Sequence, residues 1–261
     1  MNRIHVYIDG TWLFNQCGKD RTLSQYVESE YFFIDFNKLN SAIEKHIHQS
    51  SGISPQPGGQ RWYYTSIITN IPDRDADGNS LDWLKSLSYS KKQTVLAAQR
   101  AGYDTSGVFE VPFKPWMPKQ IERKLFQEKM VDTSLVARMV LSSILYPQDF
   151  HVVVTGDLDM IPAISLVVPE YLEKVVLFTT DPRQWDPNMQ QTSKKLTDYN
   201  FRYGPFYLDE MVSEILQGNF VYTCDHPTCS IVFARRNEIP LGEKPYCSIH
   251  LRTRPARRLN V

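Results

Sequence analysis

Four carboxylates stand where a strand or helix could aim them at one point. Asp9 ends the apolar run IHVYID, Asp132 heads a stretch of helical apolar spacing, and Asp157 and Asp159 directly follow the run FHVVVT. In open α/β sheets, ligands bind outside the carboxyl ends of the strands. Residues two apart in an extended segment point the same way, which puts Asp157 and Asp159 side by side. Gly156 lets the chain leave the strand and bring backbone close to a ligand. Four converging carboxylates repel one another, and a hard divalent cation such as Mg²⁺ or Mn²⁺ offsets that repulsion through oxygen ligands. Each residue also has a plainer use: Asp9 as a loop cap, Asp132 as a first-turn helix acid favoured by the dipole, Asp157 in a turn. Their joint placement at strand ends and a helix start points to a site.

A second constellation lies near the C-terminus. Cys224 and Cys229 form one pair, and after 17 intervening residues Cys247 and His250 form another; Cys17 stands apart. Each pair can grip one side of a tetrahedral ion, and Cys3His is a closed structural set for Zn²⁺. The 43 residues from 219 have few apolar side chains, so a metal would supply the folding energy that a small core cannot. His226 competes as a ligand but sits between two cysteines of the same ion. Three buried thiols with surface histidines are the alternative. Tyr222, Phe233 and Tyr246, interleaved with Arg235 and Arg236, could stack on bases or form the module's own core.

The elements that must position these groups alternate. Strands are expected at Ile4–Asp9, Arg61–Ile68, Val108–Phe113, Phe150–Thr155, Val175–Thr179 and near Phe201–Tyr207. Helices are expected behind Asp35, over Ser80–Ala101 (stopped by Gly102), Asp132–Leu145 and Met160–Leu172, and over residues 187–199 and 208–217. FHVVVT reads as a strand buried on both faces. The order favours a mostly parallel sheet with helices on both faces, an α/β fold of Rossmann-type three-layer form. The pattern changes around Gly218. This divides the chain into a domain over 1–218 and a zinc-ribbon-like module with a basic tail over 219–261. The loop Asp73-Arg-Asp75-Ala-Asp77-Gly78 copies half of an EF-hand, but Leu84 stands where the bidentate Glu is needed, so it reads as an exposed turn.

Composition bounds the class. The 261 residues carry 29 Lys+Arg and 29 Asp+Glu, and 42% are apolar, which excludes a disordered or fibrous chain. No run approaches the roughly 18 apolar residues of a membrane helix, and MNRIHVYIDG lacks the features of a signal peptide. A soluble, cytoplasmic protein without a membrane partner is expected. The neutral total hides an asymmetry: the last 43 residues are +4 and the first 218 are −4. A basic tail fits a polyanion partner or a solvated end.

VYIDGTWLFN, EKMVDTSLVARMV and VVVTGDLDMIPAI, in this order and spacing, resemble the three signatures of NYN domains, which are PIN-like ribonucleases. The resemblance spans roughly residues 3–210. It implies that Asp9, Asp132, Asp157 and Asp159 hold one or two Mg²⁺ or Mn²⁺ ions. It also implies that RNA is hydrolysed to a 5′-phosphate and a 3′-hydroxyl, with Lys129 ahead of the central Asp and Thr155 in the hydroxyl position. Lys129 or Arg138 could contact phosphate oxygens. Three positions depart from the pattern: Trp12 for Asn, Arg138 for another Asp, and Met160 for an aromatic residue. Arg138 either removes a metal ligand or adds a phosphate contact.

A metal-dependent endoribonuclease is the leading expectation. Its partner would be single-stranded or tRNA-like RNA, held in part by Arg235 and Arg236, and self-association stays open. The rivals are an RNA-binding protein of the same fold that has lost catalysis, and a sugar-nucleotide or phosphate-ester enzyme. The latter is suggested because Asp157-Leu-Asp159 also fits the DxD of sugar-nucleotide transferases and, loosely, that of haloacid-dehalogenase phosphatases.

Overall fold

Strand β1 (Ile4–Asp9) is buried along its whole length, because it lies between two other strands and under helices on both faces. The computed structural model describes residues 2–123, 129–157, 160, 174–181 and 201–252. With β2 (Arg61–Thr69), β3 (Val108–Pro112), β4 (Phe150–Val154), β5 (Val175–Thr179) and β6 (Tyr203–Tyr207), β1 forms a six-stranded sheet in the order β3-β2-β1-β4-β5-β6. Every pairing is parallel. The chain runs outward from β1 to β3, then returns to lay β4 on the other side of β1. That reversal opens a crevice at the carboxyl ends of β1 and β4.

The period of two along β1 sorts its side chains to two cores. Ile4, Val6 and Ile8 pack with Leu39, Ile43 and Ile47 of helix α2 (Phe36–Ser51). Tyr7 faces the other way and packs with Trp62, Tyr64 and the Val131, Leu135 and Met139 stripe of helix α5 (Lys129–Leu145). Each fully buried large side chain stabilises by about 2 kcal/mol, so truncating Ile43 to Ala costs about 2–5 kcal/mol. Asp35 caps α2 by accepting the amide hydrogens of Asn37 and Lys38 at 3.0 and 3.2 Å. Helix α1 (Gly10–Gln16) follows β1, helix α3 (Asp82–Arg100) joins β2 to β3, and α4 (Met117–Glu122) precedes α5.

Several expectations change. Helix α5 begins at Lys129, so Asp132 sits inside its first turn rather than opening it. The stretch 208–217 is a 3₁₀ turn, Leu208–Met211, then a short helix, Val212–Ile215; Leu216 turns extended to bridge Ile34. Helix α1 was invisible to periodicity because only Gly10 and Leu13 of its seven residues are buried. The helices expected at Met160–Leu172 and 187–199 lie outside the described residues, apart from Met160.

The amino ends of β1 and β4 are held by a buried polar stack. The His5, His151 and Trp62 rings lie nearly parallel, with Tyr7 between His151 and Trp62 and Tyr146 on His5. Asp149 accepts from His5 Nε2 at 3.1 Å and binds Arg3. Burial pushes His151 down to about 4 and lowers His5 against the pull of Asp149. His5 lies four residues and His151 three residues, about 13 and 10 Å, behind the carboxyl ends of their strands. No helix among the described residues is long and apolar enough to cross a membrane.

Beyond Gly218, β7 (Phe220–Thr223) and β8 (Val232–Arg235) form an antiparallel hairpin, and Ser248–Arg252 is a short helix. Phe233, Cys224 and Cys247 make a small separate core. Val232 belongs to the main core and bridges Val27. Glu28 accepts from Arg235 at 2.8 Å and from the Ser248 amide, so the segment from 219 is fastened to the loop after α1.

Candidate metal centres

Asp9 is 2% exposed at the end of β1, and both of its oxygens are used. Oδ1 accepts the Trp12 amide hydrogen at 2.9 Å and so caps α1. Oδ2 accepts the Thr155 hydroxyl at 2.9 Å. The same hydroxyl oxygen accepts the Asp157 amide hydrogen at 3.0 Å, which turns the chain after β4 back toward β1. Helix α5 brings Asp132 to the same place. One carboxylate oxygen each of Asp9, Asp132 and Asp157 lies within 4.8 Å of the others.

Three ionised carboxylates this close are costly. At 4.8 Å and an effective dielectric constant near 20, each pair repels by about 3 kcal/mol, and three pairs rival the stability of a whole domain. The cluster therefore takes up a proton or a cation. Burial, reinforced by the charges of Asp132 and Asp157, pushes Asp9 up to about 7, although the Trp12 amide and the Thr155 hydroxyl pull it down. A buried, charge-crowded carboxyl of this kind is suited to exchanging a proton for a metal ion.

Trp12 builds the crevice wall. A Cβ on Gly156 would lie 2.5 Å from its indole Nε1, so the indole leaves room for glycine at this position. A Cβ on Gly10 would likewise meet the Tyr63 ring at 2.3 Å. These two contacts press α1 onto β2 and the turn after β4, which fixes the Asp9 backbone.

Arg138 is not in the cluster. It lies six residues along α5 from Asp132, about 9 Å of helix rise. Its guanidinium sits over the Trp62 ring, 5.5 Å from the centroid, and hydrogen-bonds the Tyr64 hydroxyl. Its side chain is exposed. Asp159 and the side chain of Lys129 lie outside the described part of the structure.

The cysteine constellation closes as its spacing suggests. Cys224 and Cys229 flank the turn between β7 and β8, and Cys247 and His250 come from the start of the Ser248–Arg252 helix. Their ligand atoms lie within 4.8 Å of one another. Cys229 Sγ is 4.0 Å from Cys247 Sγ, and His250 Nδ1 is 3.5 and 3.2 Å from the sulfurs of Cys224 and Cys247. A disulfide would need about 2.05 Å. His226 is outside the set: its ring stacks on His250 at 3.9 Å, and its Nδ1 accepts from Thr228. Cys17 is remote from the cluster.

The two C-terminal arginines assigned to RNA differ in their surroundings. Arg235 is occupied by Glu28 and the Phe233 ring, 4.2 Å from the centroid, whereas Arg236 is exposed. Residues 253–261 of the basic tail lie outside the described residues. Glu28, which fastens the module, gives no local signal because its partner Arg235 is 207 residues away. The acidic loop satisfies itself: Asp75 accepts from the amides of Asp77 and Asn79, while Asp77 pairs with Lys119.

No protein-family model matches this chain, and no curated protein or solved structure is similar enough to be matched to it.

Proposed function

We propose that this protein is a divalent-metal-dependent ribonuclease of the PIN-like, NYN type that its three motifs resemble, with a structural zinc module at its C-terminus. The observation that carries the reading is the meeting of Asp9, Asp132 and Asp157 at the crevice where the strand order reverses, with Asp9 buried and pushed up to about 7. The donor set is all oxygen, which suits Mg²⁺ or Mn²⁺. These three residues would hold the ion, with Asp159 as the fourth candidate. When bound, such an ion neutralises a phosphodiester and makes water acidic enough to supply hydroxide at neutral pH.

The chain's own residues prepare the site. Thr155 fixes the rotamer of Asp9 and the amide of Asp157, so two ligands come from two strands at a set separation. Trp12 packs on Gly156 and Tyr63 on Gly10, on either side of Asp9 in the fold of the turn. Asp9 loses its proton when a cation enters. His5 and His151 lie toward the amino ends of β1 and β4, away from the carboxylates, and the reading does not require an imidazole base. The strand order is also that of dinucleotide-binding sheets, but the turn Asp9-Gly10-Thr11-Trp12 lacks their glycine-rich fingerprint.

Zinc fits the second centre. Bonds of about 2.3 Å to sulfur and 2.0 Å to nitrogen give tetrahedral edges of roughly 3.8 Å between sulfurs and 3.6 Å from sulfur to nitrogen. The 4.0 Å sulfur–sulfur separation is slightly longer than its edge and the 3.5 and 3.2 Å sulfur–nitrogen separations slightly shorter than theirs, with no disulfide among the four.

Cleavage assays with Mn²⁺ on RNA, single-stranded DNA and duplex DNA test the main reading, with preferential RNA cleavage expected. RNA binding without cleavage would instead mark a catalytically impaired binder. Hydrolysis confined to sugar nucleotides or small phosphate esters would favour the DxD-type enzyme.

A further inference from the structure

Helix α5 is apolar on both of its sides. Val131, Leu135 and Met139 pack against the sheet. On the opposite side Met130, Leu141, Ile144 and Leu145 stand 49–61% exposed. A helix that covers a sheet with one face ordinarily turns charged and polar residues outward. Here Met130, Ala137 and Ile144 recur every seven residues, close to two helical turns, and Leu141 and Leu145 lie beside that row. Ala137, at its centre, is exposed as well. From Thr133 to Leu145 the helix carries a single charged residue, Arg138, whose guanidinium lies over the Trp62 ring.

A row of this kind complements a copy of itself. Laid antiparallel with Ala137 on a two-fold axis, Met130 of one copy meets Ile144 of the other, because each is seven residues from Ala137. The small residue at the centre lets the two backbones approach, and the large ones close over it at the ends. A crossing near +20° keeps a seven-residue row in contact along its length. No like charges come face to face, since Arg138 falls opposite Val136. Each of the four large side chains offers roughly 100 Å² of apolar surface, so a pair of copies covers about 800 Å² with these alone. The exposed Thr133, Ala137 and Gln148 extend the patch toward the roughly 1,000 Å² that a specific interface needs.

We propose that the outer face of α5 is an interface between two copies of this chain, paired antiparallel about Ala137. An isologous two-fold contact of this type closes on itself and stops at a dimer. The pairing sets the partner's Ile144 and Leu145 beside Met130, at the end of α5 that carries Asp132, so the second copy stands next to the carboxylate crevice. The inference follows from the helix alone and is independent of the ribonuclease reading.

The test is sedimentation equilibrium of the full chain over a concentration series. Association should saturate at a dimer, with a dissociation constant of about 1–100 µM, the weak range for an interface near the lower size limit. Leu141→Glu and Ile144→Glu should each weaken the dimer about tenfold or more, by burying a charge in an apolar contact. Adding Met130→Lys to Ile144→Glu should restore it, because the antiparallel register sets Lys against Glu at both ends, and the restored dimer should weaken as salt rises. A parallel pair would set Lys against Lys and Glu against Glu. Thermal melts check that each variant folds. A wild type that stays monomeric at about 100 µM overturns the interface, as does association that runs past a dimer without saturating. So does a dimer indifferent to Leu141→Glu and Ile144→Glu, or a Met130→Lys, Ile144→Glu double variant that associates no better than Ile144→Glu alone.

Discussion

The Thr155 hydroxyl donates to Asp9 Oδ2 at 2.9 Å while accepting the Asp157 amide hydrogen at 3.0 Å. One side chain thereby joins the ends of two adjacent parallel strands and sets two carboxylates against each other. Removing it tests how far the cluster depends on this brace. Thr155→Val keeps the shape and loses both bonds, with about 1–3 kcal/mol of stability lost through buried groups left unpaired. Mn²⁺ affinity, read by calorimetry, should fall about 10–100-fold, the range seen for partners of metal ligands. Wild-type affinity in this variant would show that Thr155 does not orient Asp9.

Asp157→Asn removes a charge and keeps the volume. Mn²⁺-dependent RNA cleavage should fall by more than about a hundredfold, beyond the range for partners of metal ligands, while the melting temperature of the metal-free protein holds or rises because one repulsion is gone. Cleavage at the wild-type rate would mean that the three carboxylates are not the active site.

The pH dependence has a defined sign. Asp9 is raised to about 7 by burial first and by Asp132 and Asp157 second. A carboxyl raised above its unfolded value stabilises the fold when protonated. Its contribution is complete below about pH 4 and is lost as pH climbs through 7. A bound cation replaces the missing proton. Saturating Mn²⁺ should therefore raise the melting temperature of metal-free protein more at pH 8 than at pH 5. Equal shifts at both pH values would indicate that Asp9 is not a ligand.

One tightly held Zn²⁺ per chain is expected at Cys224, Cys229, Cys247 and His250. Its removal should increase amide exchange over residues 219–252, because the metal's binding energy is the module's folding energy. Since Val232 bridges Val27, and Glu28 accepts from Arg235, residues 24–32 should loosen as well. The six-stranded sheet should stay protected by its own core. Protein lacking zinc by elemental analysis, or unchanged exchange after Cys247→Ser, would refute the assignment.

What the sequence determined by itself was local. The burial of IHVYID and FHVVVT, the cap at Asp35, the break at Gly102 and the pairing of Cys224 with Cys229 all follow from spacing and residue type. These carry their physical cause within a few positions. The seven-residue α1 escaped, because a helix that buries only Gly10 and Leu13 leaves no periodic trace. Tertiary structure alone decided which ends became neighbours. The return of β4 to the flank of β1 placed Thr155 on Asp9, and the entry of α5 one turn before Asp132 brought the third carboxylate. The same packing laid Trp12 on Gly156, set Arg138 over Trp62, and assigned Arg235 to Glu28. Each of these contacts joins residues far apart in the chain, so its energy depends on the whole sheet being assembled and no local pattern can announce it.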